Sequence, residues 1–492
     1  MAKTAGPYLA DFGYDPAGRF IQESRTFMIG QIFKAYDVRA VYPEQINEAA
    51  AWKVGYATGQ FLLRQAEAAG NRTVLVSRDM RPHSASLCQA LTLGLRAAGA
   101  DVIDLGMCDT SFIYFAINHL NAIGGIQTTA SHNPIQYNGF KISGVHAKPI
   151  GAQTGLKDIQ AIAQSLDPSK GPDTVPPTGR YEERDLWDAY RAHVLRFLRP
   201  LRRRVRVFVD ASNGMAGAMV PKVFEGVDNL VIIRQNFEIT GSFAHDPNPL
   251  VAENMKPTQQ GVLTHKADLG ACFDGDADRC IFTDEQGQIV GCDHLTALLT
   301  ESFLRSAPAD ARTIVYDLRS SKVVEEEIRR HGATPARSRV GHVFMKQVLR
   351  DTGGIFGGEL SGHFYFRDNF YADSGAIAFA ALLSVVGESD KPLSELIAPF
   401  RRYPQSGEIN FRVQDKAAVL AALKEKFGPR GSVDELDGVT IDCWEACGYW
   451  FNVRASNTEP LLRLNAEAKE RSQLDALLAE LRPMLGEEDH GH

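Results

Sequence analysis

The sequence predicts an α/β protein in which three related α/β domains with mixed sheets are followed by a smaller C-terminal α+β domain. An apolar, β-branched strand, a polar or glycine-rich turn, a helix of 3.6-residue periodicity and a second strand recur three times along the chain. That grammar gives out near residues 401–404, after which strands and helices alternate in a different order. At 492 residues and 44% hydrophobic content the chain exceeds what one core supports, so several domains are required.

Residues 1–30 carry Gly6, Pro7, Gly13, Pro16 and Gly18 and read as a surface arm to which no function is assigned. Domain 1 (31–179) holds a strand at 73–76, a turn at Ser77-Arg78-Asp79, a helix from about Ser84 to Ala97 and a strand at 101–105. Its end is drawn in the stretch 167–179, whose prolines and glycines cannot sustain a helix and suit a surface linker. Domain 2 (180–293) repeats the pattern with a strand at 205–209, a turn at 210–214 and a strand at 230–233. Domain 3 (294–402) does so with a strand at 313–316, a turn at 317–321, a helix over 322–331 and a strand at 334–337. Domain 4 (403–492) opens with a strand at 408–413, continues with a helix over 417–427 and ends in a helix over 472–485. Apolar runs alternating with helices imply sheets covered on both faces.

The net charge of −7 is small for this length, and without a basic block interleaved with aromatics, nucleic acid is not an expected partner. Arg202-Arg203-Arg204 precedes a strand and reads as its solvated entry. Seven cysteines, with no C-x-x-C pair, point to reduced thiols and a cytoplasmic protein rather than a disulfide framework. Neither a secretory leader nor an apolar run of membrane-spanning length is read from the sequence, so no membrane partner is expected.

Four segments carry chemistry. Thr129-Ala130-Ser131-His132-Asn133-Pro134 puts a hydroxyl in a turn, where backbone N–H groups can hold a phosphate and the oxygen can act as a nucleophile; a plain helix N-cap fits the same string. Asn138-Gly139 suggests a tight turn that brings Lys141 back to that site, although a surface lysine is the ordinary alternative. Asp274, Asp276 and Asp278 alternate with the small Gly275 and Ala277, so a slim loop can wrap three carboxylates around one hard cation; a solvated acidic turn is the bland alternative. The EF-hand pattern is missing, so Mg2+ is preferred to a calcium sensor. Gly357-Gly358-Glu359-Leu360-Ser361-Gly362-His363, if extended, projects Glu359 and Ser361 to one side to meet sugar hydroxyls, whereas His363 alone could be a packing residue. Arg454, Ser456, Asn457 and Thr458 supply a guanidinium fork and short donors suited to phosphate oxygens.

With these four segments in order, the chain from about residue 33 to 485 resembles the α-D-phosphohexomutases, nearest to the bacterial phosphomannomutase/phosphoglucomutase group. The resemblance implies four domains around a central cleft, each sending in one loop. It implies that Ser131 is carried phosphorylated and that Asp274, Asp276 and Asp278 bind Mg2+ together with Ser131. Glu359 and Ser361 would recognise sugar hydroxyls, and Arg454, Ser456, Asn457 and Thr458 would grip the phosphate that is not transferred. Tyr36, Arg39, His132, Asn133 and Gly341 join the substrate set. Arg279 would offset charge, and Lys141, His342 and His363 are the candidate proton carriers. The family string Tyr-Asp-Ile-Arg-Gly appears here as Tyr36-Asp37-Val38-Arg39-Ala40, so any contact needing a left-handed residue at position 40 is in doubt.

The implied reaction interconverts hexose 6-phosphate and hexose 1-phosphate through a hexose 1,6-bisphosphate that serves as intermediate and activator. Glu359-Leu360-Ser361-Gly362-His363 is similar to the loop of enzymes that take both mannose and glucose phosphates, which favours dual activity over a phosphoglucosamine mutase or a glucose-restricted phosphoglucomutase. A Mg2+-dependent sugar phosphatase and an inactive sugar-phosphate binder are the alternatives from other classes. The expected partners are small sugar phosphates, and the expected state is a monomer or a dimer.

Overall fold

Strands buried along both faces and covered by helices set the architecture from the first unit onward. Val74, Leu75 and Val76 are fully buried in the strand Thr73–Arg78, which lies parallel to both Asp101–Met107 and Gly124–Thr128. The computed structural model describes residues 29–66, 71–308, 311–456 and 461–489. The expected arm lies outside these residues except at its last two positions, where the 3-10 turn Ile29–Ile32 begins. Among the described residues no helix is long and apolar enough to cross a membrane.

The first sheet has six strands in the order Val38–Val41, Tyr137–Gly144, Gly124–Thr128, Thr73–Arg78, Asp101–Met107 and Tyr181–Glu183. Tyr181–Glu183 pairs with Val102–Asp104, so this unit reaches past the boundary drawn at 179. Helices Glu48–Ala66 and Ser84–Ala97 cross in contact because Gly55 and Gly94 let their backbones meet. A Cβ on Gly55 would stand 2.1 Å from the Leu91 carbonyl oxygen, and one on Gly94 would stand 2.1 Å from that of Trp52.

The second and third sheets have five strands each, parallel at Val205–Asp210 and Thr313–Asp317 and antiparallel at one edge. The fourth, in the order Ser432–Asp434, Val439–Cys443, Tyr449–Ala455, Leu461–Ala468, Gln405–Arg412 and Glu487–Asp489, is antiparallel throughout. These are the mixed α/β units and the α+β tail expected from the pattern of elements.

One apolar cluster runs from Phe112 and Tyr190 through Val207 and Phe273 to Phe356 and Phe379, joining the first three units. The buried helix Gly375–Glu388 lies inside it, capped by Ser374, whose Oγ accepts from the Ile377 N–H at 3.2 Å. The fourth unit has a separate cluster of Phe411, Leu464, Leu481 and their neighbours. Its described contacts with the third unit include several polar ones: Lys322 Nζ with Asp442 at 2.5 Å, the Lys322 N–H to Glu467 Oε2 at 2.8 Å, and Gln405 Nε2 to Asp293 Oδ2 at 2.7 Å, Asp293 standing on the helix Cys292–Arg305 that packs in the third unit.

The cysteine expectation needs correction. Cys443 and Cys447 form a disulfide, while Cys88, Cys108, Cys272, Cys280 and Cys292 are buried free thiols. A four-residue spacing across the helical turn Trp444–Cys447 brings the two Cα atoms to 5.2 Å, within disulfide range, a geometry that a search for C-x-x-C overlooks.

Glu467 makes the junction of the third and fourth units sensitive to pH. Burial, with Asp293 nearby, raises its carboxyl from 4.5 to about 7, although Ser321, Lys322 and Trp450 hydrogen-bond to it. Between those values the folded chain holds the proton more tightly than the unfolded chain, so stability falls as pH rises through the window and the full cost is present above about 7. Glu467→Gln keeps an acceptor for the Trp450 and Lys322 N–H groups and removes the charge. It should stabilise the protein by roughly 2 kcal/mol at pH 8 and little at pH 5. Thermal unfolding at both pH values checks this; an equal change at both would exclude Glu467 as the titrating group.

Candidate active site

The loops that carry the motif residues leave the carboxyl ends of sheet strands, where open α/β folds place their ligand sites. Strand Gly124–Thr128 delivers Ser131, with φ at 51°, a left-handed backbone that costs a non-glycine residue about 1 kcal/mol. The loop is over-determined to hold it. The Ser131 N–H donates to Thr129 Oγ1 at 2.8 Å, and the Arg81 guanidinium binds four carbonyls: Ser131 at 2.9 Å, Asn133 at 2.7 Å, Pro134 at 2.6 Å and Tyr137 at 3.0 Å. Arg81 is itself buried and paired with Asp79 at 3.1 Å. Sequence reasoning missed Arg81; Asp79-x-Arg81 just beyond the strand Thr73–Arg78 was the available signal.

Two expectations about this loop are corrected. It leads into the strand Tyr137–Gly144 and not a helix, so Ser131 is no N-cap. Asn138-Gly139 lies within that strand, because Tyr137–Gly144 pairs on both sides with Val38–Val41 and Gly124–Thr128; Lys141 reaches the site as a strand residue facing it. Ala40 is also a strand residue, opposite Asn138, and needs no left-handed backbone.

Strand Leu269–Phe273 delivers Asp274, Asp276 and Asp278, all buried, with candidate ligand oxygens within 4.8 Å of one another. The acidic loop and the serine loop touch: a Cβ on Gly275 would stand 2.4 Å from the Ser131 carbonyl oxygen. Ser131 Oγ donates to Asp274 Oδ2 at 3.0 Å. Lys141 Nζ reaches Asp276 Oδ2 at 2.7 Å and Asp278 Oδ2 at 2.5 Å, and Arg279 Nε lies 3.4 Å from Asp274 Oδ2.

These contacts sort the charges. Burial and the neighbouring Asp278 and Asp276 push Asp274 well above the usual carboxylate range. For Asp278, Lys141, His363 and Arg279 outweigh burial and hold it well below that range. Burial would lower Lys141, but Asp276 and Asp278 prevail and keep it an ammonium. Asp276 Oδ1 and Asp278 Oδ1 are buried with no hydrogen-bond partner among the described residues, so the set fits a hard divalent cation and is no solvated acidic turn.

The third unit supplies the hairpin turn between Phe356–Gly358 and Phe364–Phe366. The turn is tight and not extended: the Glu359 N–H bonds the His363 carbonyl at 3.0 Å, and Gly362 has φ at 84°. Glu359 is fixed by the Tyr365 hydroxyl at 2.7 Å and the Gly341 N–H at 3.0 Å, and Ser361 Oγ lies 2.8 Å from His363 Nδ1. His363 Nε2 faces Asp278 at 3.4 Å and Asp373 at 3.6 Å, so it is no inert packing residue.

Across from this turn, the Tyr36 ring meets that of His342 edge-on at 5.8 Å, and His342 stacks 6.1 Å from His363. Burial, with Lys346 and His363 close by, holds His342 far below its usual value, hence neutral. Arg39 donates to Asn133 Oδ1 at 2.9 Å. His132 is likewise kept neutral by burial and by Arg279, whose Nη2 lies 2.7 Å from His132 Nδ1.

In the fourth unit Arg454 is buried and pairs with Glu408 at 2.9 Å, so it is no exposed arginine. The Ser456 N–H bonds the Leu461 carbonyl at 2.9 Å. Asn457 and Thr458 lie outside the described residues. Arg319, 3.9 Å from Glu359 and 3.2 Å from Glu408, connects the two loops and was not anticipated; its place in the turn at 317–321, matching the turn at 210–214, was the only cue. Ser131, the three aspartates, Glu359 and the buried Arg279, Arg319 and Arg454 are brought together by these contacts, a set of groups whose chemistry suits phosphoryl transfer on a polyhydroxylated substrate.

Comparison with known proteins gives matches along the chain. Residues 30–170, 188–287 and 292–403 match models of the phosphoglucomutase/phosphomannomutase alpha/beta/alpha domains I, II and III, and residues 408–484 match the C-terminal domain of the same family. A phosphomannomutase of Escherichia coli (strain K12) is 37% identical over 454 residues, covering 89% of this chain and 94% of the relative. A protein named "Phosphohexose mutases" from Xanthomonas campestris pv. campestris (strain B100) is 37% identical over 455 residues, covering 92% and 97%. The crystal structure of a phosphoglucomutase/phosphomannomutase family protein from Burkholderia thailandensis superposes with a TM-score of 0.82 at 29% identity, covering 93% of this chain and 97% of that one.

The acidic cage generates a test that needs no turnover. Asp276→Asn should weaken binding of a divalent cation at least about tenfold by titration calorimetry, and should abolish the rise in thermal midpoint that the cation gives the unaltered protein. Equal affinity in both proteins would remove Asp276 from the cage.

Proposed function

The chain belongs to the phosphoglucomutase/phosphomannomutase family and is a phosphohexose mutase, and from that premise we propose that it interconverts the 6-phosphates and 1-phosphates of mannose and glucose through a phosphorylated Ser131 and a hexose 1,6-bisphosphate. The observation that carries the reading is Ser131 Oγ at 3.0 Å from Asp274 Oδ2, on a loop held left-handed against the acidic cage. Asp274, Asp276 and Asp278, with Ser131, would hold Mg2+, which supplies positive charge beside the phosphoryl oxygens.

The protein's own residues divide the remaining work. In the first half-reaction the bond from phosphorus to Ser131 Oγ breaks as a sugar hydroxyl oxygen bonds to phosphorus; that hydroxyl gives up its proton, and the freed Ser131 Oγ takes one up. Lys141, whose Nζ lies 2.7 Å from Asp276 and 2.5 Å from Asp278, is one of the candidate proton carriers. His363, its Nε2 facing two carboxylates, and His342, stacked 6.1 Å from it, are the other candidates for that role. Arg279 offsets charge near Ser131. The 1,6-bisphosphosugar then turns so that its other phosphoryl group returns to Ser131.

Glu359 and Ser361 meet sugar hydroxyls in this reading, and Tyr36, Arg39, His132, Asn133 and Gly341 line the cleft. Arg454, Ser456, Asn457 and Thr458 hold the distal phosphate, common to both sugars. Specificity for mannose and glucose together rests on the resemblance of the turn Glu359-Leu360-Ser361-Gly362-His363 to that of dual enzymes. The enzyme is read as a cytoplasmic phosphoprotein on the resemblance to its family, not on its cysteines, two of which are joined.

Ser131→Ala should lower turnover at least about 100-fold while leaving sugar-phosphate binding intact, and intact-mass measurement should find an added phosphate only on the unaltered enzyme. Near-normal turnover in the alanine variant would refute the nucleophile. A coupled assay comparing mannose, glucose and glucosamine 1-phosphates should give comparable rates with the first two. Release of inorganic phosphate without dependence on the bisphosphate would instead identify a phosphatase.

Arg454→Ala should raise KM for mannose and glucose phosphates alike, whereas Glu359→Gln should change kcat or the ratio between the two sugars. The opposite pattern would exchange the roles of the two loops.

A further inference from the structure

One carboxylate in the fourth unit collects three guanidinium groups. Glu408, on the strand Gln405–Arg412, accepts from Arg319 Nη1 at 3.2 Å and Arg454 Nη2 at 2.9 Å through Oε2, and from Arg463 Nη1 at 2.8 Å through Oε1. Arg319 belongs to the third unit and is already neutralised by two bonds to Asp317, at 3.2 and 2.8 Å. Glu408 therefore serves chiefly the two arginines of its own unit and ties them to the neighbouring one.

Arg454 has reason to need it. Burial and the adjacent Arg319 and Arg463 all oppose its charge, and Glu408 is the group that favours it. Its Nε is buried with no hydrogen-bond partner among the described residues, leaving donor capacity beyond the bond to Glu408.

We propose that Glu408 is a positioning residue with a second, electrostatic effect: it holds Arg454 in place for the substrate's distal phosphate and, as an anion beside that phosphate, limits how tightly the site grips it. The inference rests on the proposed role of Arg454 in phosphate binding. Two like charges a few ångströms apart repel, and this repulsion is weakly screened where both groups are largely buried. A loose grip suits a reaction whose bisphosphate must let go at one end and turn. Through Arg319, 3.9 Å from Glu359, the same carboxylate links the phosphate end of the cleft to the sugar end.

The test measures dissociation constants for glucose 6-phosphate on the Ser131→Ala background, where no turnover consumes ligand, and steady-state constants on the unaltered serine. Glu408→Gln keeps the shape and an acceptor and should bind about fivefold tighter, with a steeper loss of affinity as salt is added and a lower kcat. Binding of uncharged glucose should not change. Glu408→Asp keeps the charge and should stay within about twofold of the parent, a rescue that a merely structural role would not require. Should the glutamine variant fail to fold, Glu408→Asn is read against Glu408→Asp, which it matches in size and from which it differs in charge: tighter binding of glucose 6-phosphate with a steeper salt dependence in the asparagine variant supports the anion beside the phosphate, and an equal affinity and slope overturns it. Unchanged or weaker binding in the charge-removing variant, with Arg454→Ala weakened, overturns the role of Glu408 and leaves the phosphate loop standing. Unchanged binding in Arg454→Ala overturns the phosphate loop and this inference with it.

Discussion

The buried carboxylates of Asp274, Asp276 and Asp278 are the constraint to which the rest of the cleft answers. Three acids in one buried loop repel one another and favour protonation, so an ionised set needs positive charge brought from elsewhere. It comes from two units at once: Lys141 from the first sheet, and Arg279 from the loop's own end. Ser131 is held against the same loop by contact with Gly275. First and second units are thereby locked in register at the site, and their shared apolar core matches that need for rigidity.

The fourth unit follows another logic. Its core is its own, and its described links to the third unit include the Lys322–Asp442 pair and the bonds from Lys322 and Gln405 to buried carboxylates. Charged and hydrogen-bonded contacts exchange more readily with water than apolar ones, so a unit attached in this way can separate without uncovering a core. The units that share the apolar core thus carry Ser131 and the three aspartates, and the unit with a core of its own carries Arg454.

The fold class was legible because a strand, turn and helix written three times leave few other ways to bury their apolar faces. The loops were legible where chemistry demands odd residues: three alternating aspartates, or glycines beside a glutamate. Geometry that depends on pairing was not. Asn138-Gly139 has the composition of a turn, but two neighbouring strands claim its backbone, and hydrogen bonding across a sheet outweighs local preference. Arg81 went unnoticed because four of its partners are main-chain carbonyls, which leave no mark on the sequence, and the pairing with Asp79 was the one trace of it. Cys443 and Cys447 were passed over because their spacing becomes meaningful only once a single helical turn stands between them.

The helix Gly375–Glu388 has a consequence for biosynthesis. Phe379 packs against Phe224 with ring centres 5.0 Å apart and against Phe273 at 5.9 Å, filling the interior of a unit encoded far upstream. On the ribosome the second unit therefore waits, with part of its apolar interior unfilled, until residues 375–388 have emerged from the exit tunnel. Apolar surface left open in this way is what makes incomplete chains prone to association.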